Sequence, residues 1–404
     1  MSDLFEGPRY YRNMTFHKHT DRTVGFLELF YDLVYVATLI QIGNFLSSNL
    51  NWTGFGQFLV LMFVTWWAWS GETTYQNRYV VDDVTHRILV MVQMFGVAAM
   101  GLSVSDAFGS LSTQFALSFV LVRSLLAVMW FRSARVHPAA KAHAVTYISG
   151  FAGGIAIWLG SIALPEDARW VAWLVAIVFE IVFFSRPAAL DEIRQWPPDD
   201  HHLVERMGIF TIIVLGEAFV KVLDDAQGTA LGVDEIVSGA LLITALFALW
   251  WLHFSDSAGE LYDLDANAKP LAWMYGHLVL AIGLVMFGVA AKKLFGETLS
   301  YPDESVTDTY RILLTGSLVI FLVAQAAITF GVDDALTTLS QKRRVVGYIA
   351  TAAIIAVLGV VVTSLTAAAT TGLLTAVLLI PVIDAIAQTK RLAATASTQP
   401  EQQE

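Results

Sequence analysis

Apolar runs of about 20 residues recur along this chain, parted by short polar stretches. Each run is long enough to cross a hydrocarbon core of ~30 Å as a single helix. The pattern predicts spans at 24–46, 57–76, 86–105, 112–131, 142–164, 168–186, 205–223, 235–254, 271–292, 309–330, 344–365 and 370–389. The expected fold is therefore an all-α polytopic membrane protein with about twelve transmembrane helices. Basic residues give it an orientation. Arg9, Arg12, Lys18, Arg22, Arg132, Arg135, Lys141, Arg206, Lys342, Arg343, Arg344, Lys390 and Arg391 all fall on one side if the N-terminus is inside, and few fall on the other. The positive-inside rule then places both termini in the cytoplasm. The loop with Asp256, Glu260, Asp263, Asp265 and Lys269 fits that scheme least well.

The two halves repeat each other. "MFGVAAM" (94–100) returns as "MFGVAAK" (286–292), "WWAW" (66–69) as "WWLH" (250–253), and "FEIVFFSR" (179–186) is echoed by "IDAIAQTK" (383–390). The matches keep their order, and six spans per half is an even number, so the reading is of two parallel six-helix repeats. The expected divisions are a cytoplasmic tail at 1–23, a first repeat at 24–190, a linker at 191–204, a second repeat at 205–390 and a disordered tail at 391–404.

Composition narrows the chemistry. The chain is 56% hydrophobic, 15% charged and has a mean hydropathy of +0.60, too little charge to clothe a soluble protein of 404 residues. It has no cysteine, which removes disulfides, thiolate catalysis and cysteine-held metal. A net charge of −11 gives no reason to expect nucleic acid. The sequence holds no phosphate loop, dinucleotide fingerprint, Ser/His/Asp set or metal-ligand spacing, so neither a cofactor nor a metal is expected. The partners expected are the lipid bilayer and a small solute or a proton of unknown identity. The oligomeric state, a dimer included, stays open.

Against this apolar background a few polar residues stand out. In "GFLELFYDLVYVATLIQIG" (25–43), Glu28, Tyr31, Asp32, Tyr35 and Thr38 share one helical face. A charge deep in a bilayer costs from ~2.5 to over 10 kcal/mol, so this face should point into the bundle. Burial and like charge both favour the protonated form, so at least one carboxyl of the pair is expected to hold a proton near neutral pH. The plainer reading is that the pair joins helices. Glu217 and Lys221 stand four apart and can form an ion pair. Arg123 lies deep in its span and needs an anionic partner, with Glu180 and Glu72 the internal candidates and a bound anion the sharper alternative. Trp66, Trp67, Trp250 and Trp251 could line a ligand slot or form interfacial belts. His86 and His277 sit early in the third span of each half, and His253 ends the eighth. Gly150 and Gly154 have the spacing of a packing motif.

"ELFYDLVYV" (28–36), "TIIVLGEAFV" (211–220) and "LWWLHF" (249–254), in that order, resemble the bacterial low-temperature-requirement A (LtrA) family. The motif maps onto Glu28, Phe30, Tyr31, Asp32, Gly216 and Glu217, whereas His253 departs from the aromatic that relatives often carry. The resemblance implies a multi-pass protein of the bacterial inner membrane linked to growth in the cold. Two functions follow: a proton-coupled secondary transporter using buried carboxylates, or a non-transporting lipid-binding or sensory protein. A membrane enzyme comes third and would need His86, His253 or His277 to converge with the acids on one cavity.

Overall fold

A chain placed in lipid must satisfy its own backbone hydrogen bonds, and helices do this within each segment. The computed structural model describes residues 15–16, 23–81, 83–196, 198–224, 231–255, 269–332 and 340–398. These residues are mainly helical. The helices are α1 (Phe26–Ser48), α2 (Trp52–Arg78), α3 (Val84–Ser103), α4 (Ser112–Val136), α5 (Lys141–Ser161), α6 (Arg169–Phe184), α7 (Pro187–Gln195), α8 (Asp200–Asp224), α9 (Val233–Phe254), α10 (Lys269–Ser300), α11 (Asp308–Gly331), α12 (Gln341–Val361) and α13 (Ala367–Thr398). A two-residue strand, β1 (Thr15–Phe16), pairs antiparallel with β2 (Tyr79–Val80).

Among the described residues, nine helical stretches are long and apolar enough to cross a membrane, lying in α1, α3, α4, α5, α9, α10, α11, α12 and α13. The three other expected spans coincide with α2, α6 and α8, which do not meet that measure. Helix α6 has only 16 residues, and α8 carries Asp200, Glu205, Arg206, Glu217 and Lys221. Two expected boundaries move. The stretch read as a linker is largely helix, because Pro187 suits the first turn of α7 and Asp199 caps α8 by accepting the His202 amide at 3.0 Å. Helix α13 runs on to Thr398, through residues assigned by composition to a disordered tail, where Leu392, Ala393, Ala394 and Ala396 favour helix. Residues 399–404, the acidic loop at 256–268 and most of the N-terminal tail lie outside the described residues.

The chain divides into two compact units, residues 1–206 and 207–404. In the first, α3 packs on α1 and α4, α4 on α5, and α5 on α6, while α2 touches α1, α4 and α6. In the second, α10 packs on α11, α11 on α12, α12 on α13, and α13 on α9. The first unit turns its polar residues inward. Asp32 and Glu72 are 0% exposed, whereas Phe26 on α1 is 83% exposed and Phe95 on α3 is 65%. A soluble bundle would reverse that arrangement, and lipid as solvent accounts for it.

Aromatic rings fill much of the remaining interior. Trp158 stacks between Phe119 and Trp173, with ring centres 4.1 and 5.1 Å away. Trp130 stacks on Tyr147 at 4.1 Å, with Tyr75 and Tyr79 edge-on to it. Gly150 and Gly154 do serve packing, since a side chain at either position would run into α6, at Phe184 and Glu180 respectively.

At the start of α3, Asp83 caps the helix by accepting the His86 amide at 2.9 Å and pairs with Arg132 of α4. Partial burial works against its charge. The hydrogen bonds from Arg132 and the His86 amide, with the nearby Arg132 charge, outweigh this and hold the carboxyl below its ordinary value. A lowered folded pKa means a contribution fully present above the ordinary carboxylate range and lost as pH falls through the lowered value. In detergent-solubilised protein, acidification should therefore reduce the thermal stability of the wild type more than that of Asp83→Asn. The difference should be under about 1 kcal/mol, because the pair is partly exposed. Parallel pH curves for the two proteins would show that the ion pair adds nothing.

Candidate functional site

Helices α1 and α2 and the start of α8, all within residues 1–206, each bring polar residues one turn apart to a common point. Helix α1 supplies Glu28 and Asp32, α2 supplies Trp69, Thr73 and Gln76, and the first turns of α8 supply His202 and Arg206. The guanidinium of Arg206 is the centre. Its Nη2 donates to Asp32 Oδ1 at 2.7 Å, and its Nη1 stands 3.7 Å from Glu28 Oε2. Longer contacts at 3.4 Å reach Gln76 Oε1 and Thr73 Oγ1. Trp69 donates its indole N–H to the same Asp32 oxygen at 2.7 Å, and its ring lies 6.0 Å from the guanidinium. Arg206 and Asp32 are both fully buried.

Glu28 is held on two further sides. Its Oε2 accepts the Gly25 amide at 3.1 Å, at the positive N-terminal end of α1. The same oxygen lies 3.0 Å from His202 Nε2. The neighbouring contacts settle which nitrogen of His202 carries the proton. Asn77 is oriented by two bonds to Asp199, Nδ2 to the carbonyl at 2.7 Å and the Asp199 amide to Oδ1 at 2.8 Å. Its Nδ2 therefore points at His202 Nδ1, 3.4 Å away, which must accept. That leaves Nε2–H to donate to Glu28, so His202 serves the carboxylate even when neutral. The Val24 amide reaches Glu205 at 3.0 Å and fastens the approach to α1 onto α8.

The carboxylate pair of α1 therefore has a counter-charge in Arg206, which the pattern of basic residues marks only as lying on the cytoplasmic side. A signal was present in "DDHHLVERMG" (199–208), where His202 and Arg206 stand four apart just ahead of an apolar run and so share a face. Trp69 and Gln76 carried no comparable signal, since tryptophan and glutamine at a span end usually face the interface. Tyr31 and Tyr35, both buried on α1, bond to each other, hydroxyl to hydroxyl at 3.3 Å.

A second buried pair lies among α2, α4 and α6. Arg123 and Glu180 form an ion pair, and Trp67 donates its indole N–H to Glu180 Oε2 at 2.7 Å. The guanidinium also lies 4.4 Å from the centre of the Phe151 ring. Two glycines make the room. A side chain at Gly71 would strike Arg123, and one at Gly154 would strike Glu180. Of the two internal acids considered for Arg123, Glu180 takes the role and Glu72 does not.

In the second unit Glu217 and Lys221 pair along α8 at 3.2 Å. His253 and His277 meet edge to face with ring centres 5.5 Å apart. Each directs Nδ1 at a carbonyl oxygen, Gln325 Oε1 at 3.1 Å and Trp273 O at 2.8 Å. Trp250 and Trp251 are each 39% exposed, whereas Leu249, Leu252 and His253 of the same helix are buried. The reason is helical phase, which turns positions 250 and 251 away from the buried stripe. Trp66 is buried on α2, and His86 is buried on α3 with its ring 6.2 Å from Tyr75. Among the described residues no group of three or more His, Asp or Glu side chains could hold a metal ion.

Removing one partner of a fully buried pair strands the other charge at about 3–5 kcal/mol. Arg206→Leu should accordingly lower thermal stability in detergent by that order, and Arg206→Leu combined with Asp32→Asn should recover part of the loss. Strict additivity of the two single changes would show that Arg206 and Asp32 are not coupled.

The chain is similar to a protein of Rhizobium meliloti (strain 1021) described as uncharacterized, 26% identical over 379 residues, covering 85% of this chain and 88% of the relative. The profile described as bacterial low temperature requirement A protein (LtrA) matches residues 23–382, which takes in both units and every buried acid described above. With several apolar helices long enough to span a bilayer and a family match along most of its length, this membrane protein belongs to the bacterial low temperature requirement A family.

Proposed function

We propose that the protein is a proton-coupled secondary transporter of the bacterial inner membrane, with both termini cytoplasmic, built from twelve spans in two parallel six-helix repeats. The observation that carries this reading is the Glu28–Asp32–Arg206–His202 network. Two acids, one permanent cation and one imidazole meet in a buried site, so gaining or losing one proton there changes the local charge balance sharply. A coupled transporter needs a group of this kind.

Order along the chain supports the repeat. The "MFGVAA" copies lie on α3 and α10, and the tryptophan copies on α2 and α9. The run of contacts α3–α4–α5–α6 is matched by α10–α11–α12–α13. A second reading, a non-transporting lipid-binding or sensory protein supporting growth in the cold, draws on the complete burial of Asp32 and Arg206, which suits a fixed structural joint equally well.

Energised inverted vesicles containing the protein separate the two. They would be challenged with panels of organic cations, organic anions and neutral solutes while a dye follows the pH gradient. The transporter reading expects at least one solute to discharge the gradient, and Glu28→Gln or Asp32→Asn to reduce that response to background while the protein still inserts. Unchanged coupling in both variants would remove these residues from the mechanism. No response to any panel, with cold growth still supported by Asp32→Asn, would favour the second reading.

A further inference from the structure

The end of α2 grips the stretch of chain that leads into α8. Asn77, the last residue but one of α2, is buried and uncharged. Its side chain makes two bonds to one backbone residue: Nδ2 donates to the Asp199 carbonyl at 2.7 Å, and Oδ1 accepts the Asp199 amide at 2.8 Å. Arg78, next along, donates to the Trp196 carbonyl at 3.3 Å. Asp199 in turn caps α8 by accepting the His202 amide at 3.0 Å.

This grip bears on the chemistry of His202, which is 0% exposed. The second hydrogen of Asn77 Nδ2 is directed at His202 Nδ1, 3.4 Å away, while Nε2 lies 3.0 Å from Glu28 Oε2. Neutral His202 already carries its hydrogen on Nε2, so a further proton can join the ring only at Nδ1. There it would meet an N–H. Turning the Asn77 amide over would offer its oxygen instead. The same turn would set N–H against N–H and oxygen against oxygen at Asp199, and two buried bonds would be lost. A charged His202 and an intact Asn77–Asp199 grip therefore exclude each other.

We propose that Asn77 is a positioning residue for the Glu28–His202 contact: it keeps the hydrogen of neutral His202 on Nε2, against Glu28, and ties uptake of a second proton at Nδ1 to release of the grip between α2 and Asp199. Charging the imidazole then loosens the residue that caps α8, the helix that carries Arg206. The charged and titratable groups on the elements meeting at His202 are Glu28 and Asp32 on α1, Glu72 and Arg78 on α2, Asp199 ahead of α8, and Asp200, His201, Glu205 and Arg206 on α8. Of these, Glu28 favours a charged ring, and Arg206, 3.7 Å from the same Glu28 oxygen, opposes it. The inference deepens the transporter reading and rests on it for its use, because a coupled transporter must convert a proton into movement of a helix. The positioning itself can fail while that reading stands.

Solid-state NMR of the full-length protein in lipid, with its nine histidines labelled with nitrogen-15 in the ring, tests it. The His202 signal is the one that disappears in His202→Gln. At neutral pH the wild type should show His202 as the neutral tautomer with hydrogen on Nε2. Asn77→Asp, which places an acceptor opposite Nδ1, should show a doubly protonated ring at the same pH. On acidification of the wild type, the Asp199 amide should lose protection from hydrogen exchange over the same interval in which the ring becomes doubly protonated. A wild-type ring with its hydrogen on Nδ1, or already doubly protonated at neutral pH, would overturn the proposal. So would an Asp199 amide that stays protected while the ring charges, or an Asn77→Asp protein that melts earlier with an unchanged ring signal. The wild-type measurements need no variant at Asn77, so they decide the matter should Asn77→Asp not fold. Any of these results leaves the vesicle experiment on Glu28 and Asp32 to be judged by itself.

Discussion

A charge enclosed by a lipid-embedded bundle has no water to fall back on, so each one must meet an opposite charge, a set of dipoles or a proton. The first unit is organised around this requirement. Asp32 meets Arg206 and the Trp69 indole, Glu28 meets His202 and the end of α1, and Glu180 meets Arg123 and the Trp67 indole. Each solution ties together helices distant in sequence. The polar contacts therefore do much of what a greasy core does in a soluble protein, where apolar surface escapes from water. Here apolar surface has nowhere better to go than lipid, and specificity of packing falls to the polar side chains and the spaces left for them.

Those spaces are as deliberate as the charges. Gly71 and Gly154 flank the Arg123–Glu180 pair and admit its side chains between α2, α4, α5 and α6. Tryptophan serves twice in the same way, with a large apolar body filling the interior and one N–H directed at a carboxylate. The motif "WWAW" thus contributes a hydrogen bond from each of Trp67 and Trp69 to different acids. On α9, by contrast, Trp250 and Trp251 are exposed.

Among the described residues the long helices fall on apolar runs of the sequence, because such a run is a local property and needs no partner to be recognised. The inward face of α1 was legible for the same reason, since the cost of placing Glu28 and Asp32 toward lipid depends only on their own helix. What occupied the space opposite that face was not legible. Arg206 and His202 lie 174 residues from their partners, and nothing in local composition distinguishes an arginine that marks a membrane face from one that turns inward. Glu72, a candidate partner for Arg123 by sequence, instead accepts from the uncharged Gln76, which no charge pattern points to. The α7 segment and the end of α13 are polar by composition, which hides a helix propensity carried by their alanines and leucines.

The separation of 174 residues between Asp32 and Arg206 also has a meaning in time. A chain emerges from the ribosome at ~5–20 residues per second, so α1 waits on the order of ten to thirty-five seconds for its counter-charge to be made. Through that interval its two acids have donors such as the Gly25 amide and the Trp69 indole but no arginine to balance their charge. Helix α1 therefore stands without its cationic partner until about half of this sequence has been made. Cold, which slows both synthesis and the rearrangement of helices in stiffening lipid, lengthens the wait.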